Sequence, residues 1–384
     1  MKLDLADRRV LSLISRTFPP GMKDDPPPGA VDWAAVIARA ERHTLAPLLF
    51  DALKESGRLD EIPAPVLLDF RRAYLRSANL NEENFRELAA LLDALGEARI
   101  PVILLKGSAL AVALYDRIAQ RPMCDLDLLI PKDALAAFEK ILTGRGFAGQ
   151  GNLGKGFEQE FMSEVCYVRP DASRLTVEPH WHLFNAPSYA NKIPIAWFWE
   201  HTAPIEIIGR RAQMLSPMAA LLHLAGHYYL HHQGVGLLAL YDIARVQARW
   251  SDRIDGDELT ETARTFGLLS AVQAVLREVT AIWQVPPPAH FSIGADQAGG
   301  FHPAETAAPS RYLHHVRDLM GVEGFKPRVS YLWRLLFPSR EYLRQRYGMR
   351  DERMAVFYYG YRMLRCVAAI PGMLLASLPS QRGL

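Results

Sequence analysis

Two aspartates stand one residue apart inside an apolar run, Met123-Cys124-Asp125-Leu126-Asp127-Leu128-Leu129-Ile130, and few folds accommodate that. Strand alternation puts Asp125 and Asp127 on one face and turns Leu126 and Leu128 into a core. Adjacent carboxylates repel each other, so such a face calls for a cation, and carboxylate plus phosphate oxygen is the ligand set that hard Mg²⁺ prefers. Taken alone, an Asp-x-Asp is equally well explained by a solvated strand end. What precedes it narrows the choice. Val102 to Leu105 is a short apolar run fit for a buried strand, and it stops at Lys106-Gly107-Ser108 before an Ala/Leu-rich segment of helical character. Gly107 is expected to adopt a backbone shape other residues avoid, and Ser108 to cap the helix. Backbone N–H groups and a hydroxyl would then be left to hold phosphate.

Further on, Phe161 to Val168 and Arg174 to His182 read as the arms of a hairpin around Arg169-Pro170-Asp171-Ala172-Ser173. In the second arm, Glu178, His180 and His182 share one face, with Val177 and Trp181 on the other. Pro179 donates no ladder hydrogen bond, which places this arm at an edge or a strand end, where a polar face is also a device against aggregation. His180 is read either as orienting a phosphate or acceptor or as a satisfied structural histidine, without a proton-transfer role.

The stretches LLKGSALAVALYD and RPMCDLDLLIP resemble the nucleotidyltransferases of the DNA polymerase β type. More narrowly, they resemble the bacterial group of uncharacterised nucleotidyltransferases. The segments DWAAVIARAERHTLAPLL, HLAGHYYLHHQGVGLLALYDIARV and LLFPSREYLRQRYG are similar to parts of that group. The resemblance implies transfer of a nucleotidyl group from an NTP, with ATP binding among the implied properties, to a hydroxyl-type acceptor on a small molecule, peptide or protein. In the site so implied, Gly107 and Ser108 hold the β/γ-phosphates, with Lys106 and Arg121 as phosphate partners. Asp125 and Asp127 carry Mg²⁺ on the triphosphate, and Glu178, the candidate third carboxylate, completes a second metal site. Two ions about 3.5 to 4 Å apart would stabilise the attacking and leaving oxygens. Glu164, on the preceding arm, is the alternative third carboxylate. The rival reading is a non-catalytic nucleotide-sensing or antitoxin-like module with the same fold, and the complete carboxylate trio argues against it.

Composition excludes other classes. With 384 residues, 49% apolar and 22% charged, the chain has the makings of large packed cores and is no disordered tail. A formal net charge of +2 gives no global attraction to nucleic acid, and no aromatic-basic stripe supplies a local one. Cys124, Cys166 and Cys366 form no C-x-x-C, which argues against a zinc ribbon or a disulfide framework and fits a reducing, cytoplasmic setting. The N-terminus lacks the features of a secretion signal.

Elsewhere the pattern is mostly helical. An amphipathic helix is expected over Leu3–Thr17, followed by a Pro/Gly connector. Asp32 should cap a helix from Trp33 to Arg42, and others should cover Ala46–Glu55 and, with Phe85, Leu88, Leu92 and Leu95 on one face, a long run to about Arg99. Lys132–Arg145 reads as a helix ending at Gly146, and Gly149–Gly156 as a surface loop. From Ser216-Pro217, a good helix start, helices continue toward the end. His223, His227 and His231 follow one turn apart. HLAGH lacks the Glu of H-E-x-x-H, so packing or lining of the cleft is the reading there. Asp242 and Arg245 are placed to pair within a helix. Pro286–Ser310 is a linker candidate. Arg311–Arg350 holds nine basic against three acidic residues, a patch suited to an anionic substrate, an acidic membrane surface or a solvated face. Cys366–Ser380 is uncharged, too short to span a bilayer, and suited to burial or a lipid-surface contact. The expected architecture is α+β: a small mixed sheet at 99–210 between helical regions at 1–98 and 211–384.

Overall fold

Leu126 and Leu128 are fully buried while Asp125 keeps partial access to solvent, so the expected alternation is realised in the strand that carries them. The computed structural model describes residues 3–15, 30–150, 153, 156–171, 175–184, 192–231, 236–294, 319 and 321–365. Among these, the strands are β1 Ile103–Leu104, β2 Asp125–Leu129, β3 Ala148–Gly149, β4 Tyr167–Val168, β5 Thr176–His180, β6 Thr202–Ile207 and β7 Arg210–Leu215. They form one mixed sheet in the order β3-β4-β5-β2-β1-β7-β6. β1 runs antiparallel to β2 and parallel to β7, while β2 and β5 are parallel neighbours. The protein is α+β, with helices before and after the sheet.

The helices preceding the sheet are α1 Leu5–Ser15, α2 Trp33–Arg42, α3 Ala46–Glu55 and α4 Ala64–Glu97. Asp32 caps α2, its side chain accepting from the Ala35 N–H at 3.0 Å. On α4, the apolar face of Phe85, Leu88, Leu92 and Leu95 is buried, each such side chain stabilising the fold by on the order of 2 kcal/mol. Within and after the sheet come α5 Lys106–Ala113, α6 Leu135–Gly144, α7 Phe157–Phe161, α8 Ile195–Glu200, α9 Pro217–Leu230, α10 Leu237–Trp250, α11 Gly256–Thr265, α12 Leu269–Trp283, α13 Phe325–Leu336 and α14 Arg340–Tyr347. A further helical run covers 355–365. Ser216 caps α9 with Pro217 at its first position. One hydrophobic core extends from Val10 on α1 to Phe291, beyond α12.

Several expectations are corrected. Of the two placements expected for the arm with Pro179, the edge is ruled out, since β5 lies between β4 and β2, while the strand end holds, Pro179 being the last residue but one of β5. Pro179 is tolerated there because its carbonyl accepts from Val165 N–H at 3.2 Å, so its missing donor faces the same segment. On that side the regular β4 ladder has already given way to the single Glu164–His180 bridge. The first arm of the hairpin is shorter than expected, since Phe157–Phe161 is helical and strand pairing begins at Tyr167. Pro286–Gly294 is no free connector: Phe291 is buried, and Gln247 Nε2 donates to the Val285 carbonyl at 3.1 Å just before it. The remainder of that stretch, the Pro/Gly connector after α1, parts of the 149–156 loop and Cys366–Ser380 lie outside the described residues.

Candidate active site

The parallel pairing of β2 and β5 sets Asp127 opposite Glu178, Asp125 opposite Thr176 and Leu129 opposite His180. Side chains on paired residues of adjacent strands share a face, so this register brings Glu178 and His180 to the face that carries the two aspartates. Asp127, 2% exposed, is the centre of the cluster. Its Oδ1 accepts from Lys106 Nζ at 2.8 Å and lies 2.9 Å from His180 Nε2. The other ring nitrogen of His180, Nδ1, is 3.1 Å from Oε2 of Glu164. Ionised carboxylates only accept, so a ring held between two of them donates from both nitrogens and carries a positive charge. Asp127, Glu178 and His180 each offer a ligand atom within 4.8 Å of the others, and among the described residues this is the one group of three or more acidic, His or Cys side chains placed to hold a metal ion.

The charges are unevenly compensated. Burial opposes ionisation of Asp127, but Lys106 and His180 overcome it and hold the carboxyl well below its ordinary range. Asp125 has no such bonded partner, and burial together with the Asp127 charge pushes it up to about 6. Burial and the same two aspartates push Glu178 up to about 7. Burial disfavours a charged His180, yet its bonds to Asp127 and Glu164 raise it to about 9. Burial likewise opposes ionisation of Glu164, and the bond from His180 overcomes it, bringing this carboxyl down to about 2. Cys166 lies against Glu178, and burial and that carboxylate push its thiol up to about 12. A cluster of four carboxylates therefore holds two internal cations and two acids reluctant to ionise.

The turn before α5 is built differently from the expectation. Lys106, not Gly107, takes the left-handed backbone, with φ 42°, a conformation that non-glycine residues adopt at an energetic cost and that clusters at functional sites. Gly107 is required for close approach: a Cβ there would collide with the Arg121 guanidinium and lie 2.9 Å from Met123 Cγ. Ser108 is not the cap. The helix begins two residues earlier, after Leu105, and the Ser108 hydroxyl is buried, accepting from the Asp127 N–H at 3.1 Å. Its hydroxyl thus fixes the strand that carries the aspartates. Arg121 is bound to Asp242 on α10, Nη2 to Oδ2 at 2.8 Å, and the Tyr115 hydroxyl donates to Oδ1 of the same carboxylate at 2.6 Å. Asp242 therefore does not pair with Arg245, whose Nε donates to the Leu114 carbonyl at 3.1 Å.

His182 lies beyond the end of β5, its Nε2 2.9 Å from the Ile193 carbonyl, and burial pushes its pKa down. In the α9 stripe, His223 is buried and packs edge-on to Phe184, with ring centres 6.1 Å apart, while His227 and His231 stack at 4.7 Å. Burial and the positive charges of Lys106 and His180 hold His223 well below its ordinary pKa, so it is a neutral wall beside the cluster.

A supporting layer escapes sequence reading. Ser77, Asn81 and Asn84 form a buried polar stripe on α4 that grips the chain entering β2. Ser77 Oγ donates to the Ala119 carbonyl at 2.8 Å, Asn81 Nδ2 to the Arg121 carbonyl at 2.8 Å and Asn84 Nδ2 to the Met123 carbonyl at 3.3 Å. Arg117 is bound by Asp51 and Glu55 of α3. The available signal was the spacing of Ser77, Asn81 and Asn84, which puts three polar residues on one helix face.

A strand, a helix start and an Asp-x-Asp strand paired in parallel with a carboxylate-bearing neighbour make up this site, and the family match gives its class, a nucleotidyltransferase. The chain belongs to the family described as uncharacterised nucleotidyltransferases, whose pattern matches residues 29–284. Among solved structures it is similar to an antigenic nucleotidyltransferase-like protein from Paracoccidioides brasiliensis, at 14% identity and a TM-score of 0.37, over 54% of this chain and 94% of that one. It is also similar to the antibiotic-resistance factor ANT(2'')-Ia, at 16% identity and a TM-score of 0.35, over 51% of this chain and 96% of that one. No curated protein matches the chain. Among the described residues no helix is long and apolar enough to cross a membrane.

Proposed function

We propose that this nucleotidyltransferase is metal-dependent and moves a nucleotidyl group from an NTP to a hydroxyl-type acceptor on a small molecule, peptide or protein. Asp125, Asp127 and Glu178 would hold Mg²⁺. The three are all carboxylate oxygen donors: Asp127 and Glu178 belong to the group placed to hold a metal ion, and Asp125, outside that group, shares their sheet face. Burial and then like charge raise Asp125 to about 6 and Glu178 to about 7, and a cation would relieve the like charge. Bound there, Mg²⁺ supplies positive charge for the triphosphate and the acceptor oxygen. The single observation that carries this reading is the in-register pairing of Asp127 with Glu178 on one sheet face.

The chain's own residues divide the remaining work. Lys106 sits on Asp127 and is the first residue of α5, whose opening backbone N–H groups lack intrahelical acceptors and attract anions. Gly107 and Ser108 contribute main-chain donors to the phosphates, their side-chain positions being committed to packing and to the Asp127 N–H. Arg121, the other expected phosphate partner, has its charge met by Asp242 and packs behind Gly107, so it braces that turn. His180 and Glu164 orient Asp127.

The test is a transfer assay with each of the four labelled NTPs, using cell extract as acceptor. Label should pass to a discrete product from at least one NTP, only with Mg²⁺, and fail to do so with Asp125→Asn/Asp127→Asn. Mg²⁺-dependent NTP binding without transfer by the wild-type protein would favour the nucleotide-sensing reading. Unchanged transfer by the double variant would place the site elsewhere.

A further inference from the structure

Of the fifteen large apolar side chains exposed among the described residues, ten lie between Phe325 and Leu364. Scattered single apolar residues are normal on a surface, but a concentration of this kind marks a contact surface. On α13 they are ordered. Tyr331 points inward, packing on Phe157 and Phe161 of α7 with ring centres 5.5 and 5.2 Å away. Phe325, Val329, Leu332 and Trp333 recur at helical spacing on the outward side and are exposed. Lys326 and Arg328 fall to either side of that stripe on the helical projection, and both are exposed. Trp333, Phe337 and Tyr359 link α13 to the run 355–365 through ring contacts of 4.4 and 5.5 Å, and that run carries exposed apolar side chains of its own, Phe357 and Leu364 among them.

Charge identifies what would cover it. From Phe325 to Arg365 there are ten basic and three acidic residues, a net charge of +7 in a chain whose total is +2, so the rest of the protein is net negative. A helix with an apolar stripe flanked by Lys and Arg, in a segment of this charge, is the pattern of one lying in a lipid interface. There the aliphatic and aromatic side chains enter the acyl boundary and the cations meet anionic headgroups. A second copy of the same face would set +7 against +7 across a two-fold axis. Nucleic acid would satisfy the charge but gives Val329, Leu332 and Leu364 nothing to bury against, since single strands are gripped by aromatic stacking.

We propose that the surface formed by α13 and the run 355–365 docks the protein on an anionic lipid bilayer. The test uses the full chain in sedimentation with vesicles of phosphatidylcholine alone and of phosphatidylcholine with phosphatidylserine. The protein should pellet with the anionic vesicles, remain in solution with the neutral ones, and be released by high salt. Phe325→Ser/Phe357→Ser and, separately, Lys326→Glu/Arg365→Glu should each weaken that binding by at least about tenfold. All four side chains are exposed, so helical content and melting temperature should stay at wild-type values and separate a surface effect from misfolding. Indifference to phosphatidylserine, or wild-type binding by both double variants, would overturn the proposal. So would a concentration-dependent dimer abolished by the serine pair without vesicle binding, or tight DNA or RNA binding lost in both variants while vesicles are ignored.

Discussion

His180 Nε2 lies 2.9 Å from Asp127 Oδ1, although the two residues are 53 positions apart in sequence and both are almost completely buried. Removing the ring takes one of two cations from Asp127, which keeps Lys106, and leaves unmade the charge-assisted hydrogen bonds to Asp127 and Glu164, a loss of about 1.5–3 kcal/mol. His180→Ala should therefore lower the unfolding free energy by about that much, measured by urea denaturation. A loss below about 0.5 kcal/mol, the range of an ordinary surface change, would mean that the bridge contributes nothing. The pH dependence has a definite sign. The folded value of about 9 lies above the ordinary 6.5, so the contribution is complete below about 6.5 and disappears as pH rises through about 9. The wild type should lose stability across that window, and His180→Ala should be flatter there.

Asp125 and Glu178 carry the opposite demand. Their folded values of about 6 and about 7 lie above the ordinary 3.8 and 4.5, so the protonated forms favour folding and that contribution is lost as pH rises through about 6 to 7. Mg²⁺ would neutralise the ionised forms. Its addition should raise the melting temperature more above about pH 7 than below about pH 6. The same shift at both would remove these carboxylates from the metal site.

Glu178 separates binding from chemistry in the proposed scheme. Glu178→Gln should leave NTP affinity by calorimetry near that of the wild type. Single-turnover transfer should fall by on the order of a hundredfold or more, since the acceptor would lose an electrostatic element present at the reacting atoms. If turnover survives, Glu164 becomes the carboxylate to test.

Gly107 is confined by space and not by its backbone angle. Gly107→Ala would drive a methyl into Arg121 and Met123, and overpacking of this kind typically destabilises by about 1–3 kcal/mol. The readout is the melting temperature together with Mg²⁺-NTP affinity, and both should drop. A variant as stable as the wild type would show that the turn has room.

Asp242 neutralises Arg121 and also holds Tyr115, with all three side chains buried or nearly so. Asp242→Asn leaves the guanidinium without its counter-charge, and a loss of about 3 kcal/mol or more is expected in chemical denaturation. Asp242→Asn/Arg121→Met should recover part of it, because the remaining groups are no longer a lone buried charge.

What the sequence determined by itself was local. Strand alternation assigned Asp125 and Asp127 to one face and Glu178 and His180 to another strand's common face, because period 2 follows from the backbone alone. Asp32 and Ser216-Pro217 announced their helices because capping involves only the next few residues. The tertiary structure decided everything that joins distant parts. Only the parallel register puts Asp127 beside Glu178, and a shift of one residue would have turned Glu178 to the opposite face. Arg121 finds Asp242 across 121 positions, displacing the local Asp242–Arg245 pairing, because burial rewards the partner that packing brings within reach. The left-handed turn falls on Lys106 and the close approach on Gly107. That choice depends on where Arg121 and Met123 stand, and nothing within a few residues of the turn records it.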